Sequence, residues 1–137
     1  MILIDSSVWI DVLHQRETVQ TRFFRANLVT RRWATADLVL AEVLQGARTD
    51  QAAATAEDRL LRGELIVVSD RDVAIKAAQY YRFLRTKGYT VRKLIDTLIA
   101  TRCIIDDLPL LYADRDFDPF VEHLGLRSAL DLTPEMT

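Results

Sequence analysis

Four carboxylates in this chain stand among apolar neighbours. Asp5 follows the run Met1-Ile2-Leu3-Ile4. Glu42 lies inside Leu38-Val39-Leu40-Ala41-Glu42-Val43-Leu44. Asp96 lies inside Leu94-Ile95-Asp96-Thr97-Leu98-Ile99-Ala100, and Asp114 follows Leu110-Leu111-Tyr112-Ala113. A carboxylate taken out of water needs a cation, a proton or a cage of hydrogen bonds. Each acid alone has an ordinary explanation. Asp96 could cap a helix, Glu42 could form a buried salt bridge, and Asp5 and Asp114 could be strand-end turn residues. Taken together they describe an all-oxygen, negative site. Such a site suits a hard divalent cation, Mg2+ or Mn2+. Ions of this kind polarise phosphoryl oxygens and acidify a bound water. Gly46, one helical turn beyond Glu42, leaves room for a backbone or ligand to approach.

The charge distribution fits a polyanion beside that centre. The net charge is only −2, but residues 16–32 hold Arg16, Arg22, Arg25, Arg31 and Arg32 against Glu17 alone. Residues 82–93 hold Arg82, Arg85, Lys87, Arg92 and Lys93 and no acid. Such runs are also the normal dress of solvated helices. Arg22, Arg25, Arg92 and Lys93 are the candidates for phosphate contact. Trp9 and Trp33 are expected in the core rather than as base-stacking platforms.

Composition narrows the classes further. The chain has 137 residues, 50% of them hydrophobic and 28% charged, which matches one ordinary globular domain. We expect that domain to span residues 1–132, with a flexible tail at 133–137. The longest apolar runs are too short to cross a membrane, and the first residues lack a signal-peptide pattern, so a cytoplasmic protein is expected. One cysteine and two histidines leave no disulfide and no His/Cys metal cage.

The elements that must position the acids alternate in type. Strands are expected at residues 2–4, 33–36, 65–68 and 110–113, with a last edge strand at 128–130. Helices are expected from Ser6 or Ser7 through residue 13, and at 17–29, 38–47 (capped by Asp37), 50–62, 71–87, 94–105 and 117–124. Alternation of this kind predicts a three-layer α/β/α domain with a short parallel sheet. Ligands gather at the carboxyl ends of such strands, where Asp5 and Asp114 fall.

Other motifs fail on inspection. Asp114-Arg115-Asp116-Phe117-Asp118 opens like an EF-hand loop, but Pro119 and Gly125 occupy the positions that need Gly and Glu. The four glycines are isolated, so no phosphate loop exists. Ser6 or Ser7 with His14 lacks a nucleophile elbow. Nothing places His14 and His123 together for metal-free ribonuclease chemistry.

The residues do resemble one known family. Ile2-Leu3-Ile4-Asp5-Ser6-Ser7-Val8-Trp9-Ile10-Asp11 resembles the first motif of the PIN-domain ribonucleases, and within them of the VapC toxins of type II toxin–antitoxin systems. Glu42-Val43-Leu44-Gln45-Gly46 is similar to the second motif, residues 88–100 to the third, and Ala113-Asp114-Arg115-Asp116-Phe117 to the fourth. The resemblance implies an active site of Asp5, Glu42, Asp96 and Asp114, with Asp116 as a near alternative or helper and Ser7 in support. It also implies Mg2+ or Mn2+, dimerisation, an RNA substrate such as tRNA, and a VapB-type antitoxin that inserts a segment into the active-site groove. One departure stands out. The family often has Thr, Ser or Asn just before the fourth motif's acids, where this chain has Tyr112-Ala113.

The leading expectation is therefore a metal-dependent endoribonuclease. Asp5, Asp96, Asp114 and Asp116 would hold the ion, and Glu42 would help or orient the attacking water. Two alternatives differ in class. A haloacid-dehalogenase-type phosphatase would use Asp5 as nucleophile, yet it needs an acid where Ser7 stands. A phosphorylated receiver-like module needs a lysine at a late strand end, and the 110–114 segment offers none.

Overall fold

The computed structural model describes residues 1–132. The expected tail at 133–137 lies outside the described residues. Strands β1 (Ile2–Ile4), β2 (Trp33–Ala36), β3 (Glu64–Ile66) and β4 (Leu110–Leu111) form one sheet in the order β3-β2-β1-β4. Every pairing is parallel. Ile2 lies opposite Trp33, and Leu3 lies opposite both Ala34 and Leu110. β1 and β4 are fully apolar and buried, as strands covered on both faces must be.

Seven α-helices connect and cover the sheet among the described residues: α1 (Ser6–Leu13), α2 (Val19–Asn27), α3 (Asp37–Gln45), α4 (Asp50–Leu60), α5 (Arg71–Thr86), α6 (Leu94–Ile105) and α7 (Asp118–Leu124). In one group α3 packs on both α1 and α4, and α1 on α2; in the other, α5 packs on α6 and α7. The result is the α/β/α layering expected from the alternation. Their starts follow side-chain caps: Thr18 accepts from the Thr21 N–H, Thr49 from Ala52, and Asp70 from Val73. The core runs through the sheet and includes Leu3, Ile4, Val39, Ile99, Leu110, Leu111, Phe117 and Phe120. Trp9 is buried between Phe24 and Trp33, with ring centroids 5.1 and 5.5 Å away. Both tryptophans therefore serve packing.

Several local expectations need correction. Asp5, not Ser6 or Ser7, caps α1, because its carboxylate accepts the Ser7 N–H. Asp37 is the first residue of α3 rather than its cap; its Oδ1 accepts N–H groups from Leu38 and Val68 and so ties the end of β3 to α3. β3 covers 64–66, and β4 stops at Leu111, two residues early. The last edge strand shrinks to a single parallel bridge between Leu110 and Ser128. Beyond it the Ser128 hydroxyl accepts the Leu130 N–H and turns the chain into a 3-10 helix, Ala129–Asp131. No other backbone among the described residues approaches Gly46, whose Cβ position meets only carbonyls of its own helix, and its open side lines a groove beside Glu42. Gly63 is the constrained glycine: a Cβ there would lie 2.5 Å from the Trp33 ring.

Candidate active site

The order β3-β2-β1-β4 places a topological switch point between β1 and β4, since the chain leaves β1 for β2 on one side and returns to β4 on the other. Crevices at such points, beyond the carboxyl ends of the strands, are where parallel α/β sheets bind ligands. Asp5 is the first residue past β1, and its N–H donates to the Leu111 carbonyl at 2.9 Å, locking the two strand ends together.

Asp5 is only 2% exposed. Its Oδ2 accepts both the Ser7 N–H at 3.1 Å and the Ser7 hydroxyl at 2.6 Å. That hydroxyl in turn accepts the Ala113 N–H at 3.1 Å. Ser7 thus joins the β1 end to the loop after β4. Residue 113 enters this contact through its backbone N–H, so its alanine side chain takes no part in it. Oδ1 of Asp5 is buried without a hydrogen-bond partner among the described residues.

Asp96 is the third residue of α6, whose start is Lys93, so the helix-cap explanation fails. It is 4% exposed, and its Oδ2 is the second buried carboxylate oxygen without a described partner. Burial first, then the charges of Asp5 and Asp114, raise its pKa to about 7. Burial also raises the Asp5 pKa, against the opposing hydrogen bonds from Ser7. Glu42 is half-buried on α3 and accepts the Ser6 hydroxyl at 3.3 Å. Burial, then Asp5, raise its pKa as well, opposed by Ser6 and the Lys93 charge. No arginine pairs with Glu42 among the described residues, so the salt-bridge explanation fails too.

Asp114 caps the 3-10 turn Arg115–Phe117 by accepting the Asp116 N–H at 2.9 Å. One carboxylate oxygen from each of Asp96, Asp114 and Asp116 lies within 4.8 Å of the others. Opposite ligands of Mg2+ stand about 4.2 Å apart, so oxygens gathered within 4.8 Å of one another are close enough to share one such ion. Asp5 is not one of the three; it acts on Asp96 and Glu42 through its charge. Hard oxygen donors, two unpartnered buried oxygens and mutual repulsion are what a divalent cation would relieve, so the residues fit Mg2+ or Mn2+.

The basic candidates divide. Lys93 is close enough for its charge to favour the ionised forms of Glu42 and Asp96. Arg92 pairs with Asp116, Nε to Oδ2 at 3.2 Å. Arg25 pairs with Glu17 at 2.7 Å, and Arg22 also acts on Glu17, away from the acids. His14 is exposed at the far end of α1 from Ser6 and Ser7. At 1.5 Å per residue that is about 12 Å, too far for a nucleophile–base pair. Sequence reasoning missed Ser6 as the partner of Glu42 and passed over Arg115. For Ser6 the signal was the second hydroxyl of the Asp-Ser-Ser run.

The chain is similar to known proteins along nearly its whole length. Residues 2–121 match the model of the PIN domain. Ribonuclease VapC11 of Mycobacterium tuberculosis is 32% identical over 132 residues, covering 94% of this chain and 98% of that protein. Among solved structures, VapBC2 from Rickettsia felis bound to a promoter DNA fragment aligns with a TM-score of 0.74 at 18% identity, covering 93% of this chain and 97% of that one. VapBC-1 from nontypeable Haemophilus influenzae aligns at 0.72 and 15% identity, covering 93% and 96%. Those two likenesses speak for the fold, while the family match and the 32% relative speak for descent. The chain belongs to the PIN-domain family and, within it, to the VapC ribonucleases.

Proposed function

We propose that this chain is a Mg2+- or Mn2+-dependent endoribonuclease, the toxin of a type II toxin–antitoxin pair, acting on tRNA. The observation that carries the reading is the gathering of Asp5, Glu42, Asp96, Asp114 and Asp116 at the β1/β4 switch point, with two buried carboxylate oxygens left without partners. Asp96, Asp114 and Asp116 would hold the ion, with Asp5 beside them. When bound, that ion would polarise the phosphodiester and acidify a water. Ser7 aims Asp5 by donating to Oδ2 and opposes the effect of burial on its charge, and Ser6 holds Oε1 of Glu42. Oε2 of Glu42 is then the acceptor positioned to take a proton from an attacking water. Lys93 supplies positive charge beside these acids, where the negative phosphate must approach.

Two surfaces support the expected partners. An apolar groove of about 710 Å3 is lined by Ile10 and Leu13 of α1, Val43 of α3, and Ala52 and Ala56 of α4, and it reaches Glu42. It suits an amphipathic segment of a VapB-type antitoxin, a basic side chain facing the acids. Co-purification with the product of the adjacent reading frame, lost on substitution of the exposed groove residue Ile10→Asp, tests this; retention refutes it. A second apolar cleft of about 660 Å3 between α5 and α6, with Leu94 73% exposed at its edge, suits a homodimer contact. A monomeric mass by sedimentation at micromolar concentration would refute that assignment.

The activity itself is tested by mapping RNA 5′ ends after induction of wild type and Asp5→Asn. New, EDTA-sensitive ends are expected from wild type only, with both proteins folded. Equal cleavage by purified Asp5→Asn refutes the site.

A further inference from the structure

A cleft of about 310 Å3 opens directly beside Asp116, lined by Tyr89, Arg115, Asp116, Asp118 and Glu122 together with the backbone around Thr90. It shares Asp116 with the acid cluster, so whatever occupies it sits next to the reacting phosphate. Tyr89 is held at both ends. Its hydroxyl donates to Glu122 at 3.3 Å, and its ring lies 5.3 Å from the His123 ring. Two of the acids around it are engaged, Asp116 with Arg92 and Asp118 with the Tyr112 hydroxyl, while Glu122 takes the Tyr89 hydroxyl on Oε2 alone and keeps acceptor capacity for a ligand. Arg115 differs. Although Asp114 and Asp116 flank it in sequence, its guanidinium has no ion-pair partner among the described residues.

Three carboxylates in the lining repel a phosphate inside the cleft and favour a ligand that donates N–H groups. A fixed phenol ring and a free guanidinium plane at the same cleft are platforms of the kind that hold unstacked RNA bases. We propose that this cleft is a nucleobase subsite beside the scissile phosphate. Tyr89 and Arg115 stack on the base, and Glu122 reads its Watson–Crick edge. Guanine is the base that fits. It presents two adjacent donors, N1–H and the N2 amino group, to the two oxygens of a carboxylate. Uracil sets a single N–H between two carbonyls, which the carboxylates repel. The inference rests on the ribonuclease reading above and adds the nucleotide preference of that site.

The test is sequencing of cut sites in a pool of single-stranded RNA with random sequence, using wild type, Glu122→Gln and Tyr89→Ala, each checked for fold by circular dichroism. Wild type is expected to enrich guanine over uracil at one position next to the cut by about tenfold, the scale of one bidentate base contact. Glu122→Gln, which keeps the shape, is expected to lose most of that enrichment, and Tyr89→Ala to raise KM for the same RNAs. A second readout uses Asp5→Asn as a binding-only background. Its affinity for a short RNA is expected to drop when the one guanine is replaced by uracil, and the drop to vanish when Glu122→Gln is added. Wild type that cuts without preference at any adjacent position overturns the subsite, as does Glu122→Gln with the wild-type preference. Wild type that cuts no RNA overturns the ribonuclease reading and the subsite with it.

Discussion

Replacing Asp96 by Asn is expected to stabilise the metal-free protein while removing its activity. The Asp96 carboxyl has a pKa raised from 3.8 to about 7, chiefly by burial and then by Asp5 and Asp114. The folded state therefore holds this proton more tightly than the unfolded chain does. The contribution to stability is undiminished below about pH 4, falls as pH rises to about 7, and is flat above that. A shift of about 3 units corresponds to at most about 4 kcal/mol. The neighbouring acids share the same repulsion and water reaches the site's open side, so about half of that, ~2 kcal/mol, is the expected gain for Asp96→Asn at pH 8 in EDTA. For a domain of this size that is about 6 °C in Tm. The new amide loses no accepted hydrogen bond at Oδ2, which has no described partner. The assay is urea denaturation of both proteins at pH 8 and pH 4, with EDTA and then with Mn2+. The gap between them is expected to close at pH 4. Mn2+ at 100 times its Kd should stabilise wild type by about 2.7 kcal/mol and the variant far less. An Asn variant that is no more stable than wild type at pH 8, or a gap unchanged between the two pH values, refutes the electrostatic account of this site.

Three further outcomes follow from particular contacts. Ser7→Ala removes the hydroxyl donor to the buried carboxylate of Asp5 and the acceptor of the Ala113 N–H, so a loss of about 1–3 kcal/mol, the scale of a hydrogen bond to a charged group, is expected by denaturation, along with weaker Mn2+ binding by calorimetry; a loss below about 0.5 kcal/mol would count against the bridge. Gly63→Ala drives a methyl to 2.5 Å from the Trp33 ring, and a cost of about 1–3 kcal/mol with a shifted tryptophan emission is expected; a neutral substitution would show that the ring moves freely. Arg102→Ala cuts the ties from α6 to the Val68 carbonyl and to Asp70, and faster amide exchange at residues 68–70 is expected; unchanged exchange would remove Arg102 as the tether of that loop.

The parts of the fold legible in the sequence were those set by local pattern. Residues 2–4, 33–36 and 94–105 are apolar runs bounded by polar residues or caps, and they fold over the expected spans. The switch-point acids were legible because a charge ending an apolar run is conspicuous. What escaped depended on partners far away in the chain. β4 ends early because the Ala113 N–H is taken by Ser7, 106 residues away, instead of by a strand. The demand for glycine at position 63 comes from Trp33, whose ring leaves no room for a Cβ there. Gly46 read as a close-approach point; no backbone of the described residues comes near it, and it lines the groove that reaches Glu42. Arg92 and Arg25 read as free cations for phosphate, and each already faces an acid. Charge runs reveal where cations are, not which of them are spent on intramolecular pairs.

Under the proposed function, the arrangement of the acids would let one place serve catalysis and control together. Asp5, Glu42 and Asp96 all have pKa values raised first by burial and then by neighbouring acids, Asp114 among them in each case, so their ionised forms cost the folded chain electrostatic energy. Hydrogen bonds from Ser6 and Ser7 fix the side chains without neutralising them. Any cation delivered to that point relieves the same repulsion, whether a divalent ion or the basic side chain of a segment lying in the groove that reaches Glu42. The two must then compete. An antitoxin segment is expected to bind wild type more weakly as Mn2+ rises, and to bind Asp96→Asn with little Mn2+ dependence, by fluorescence anisotropy of the labelled segment. Binding to wild type that ignores Mn2+ would mean that groove and acid centre act separately, and inhibition would then have to be steric.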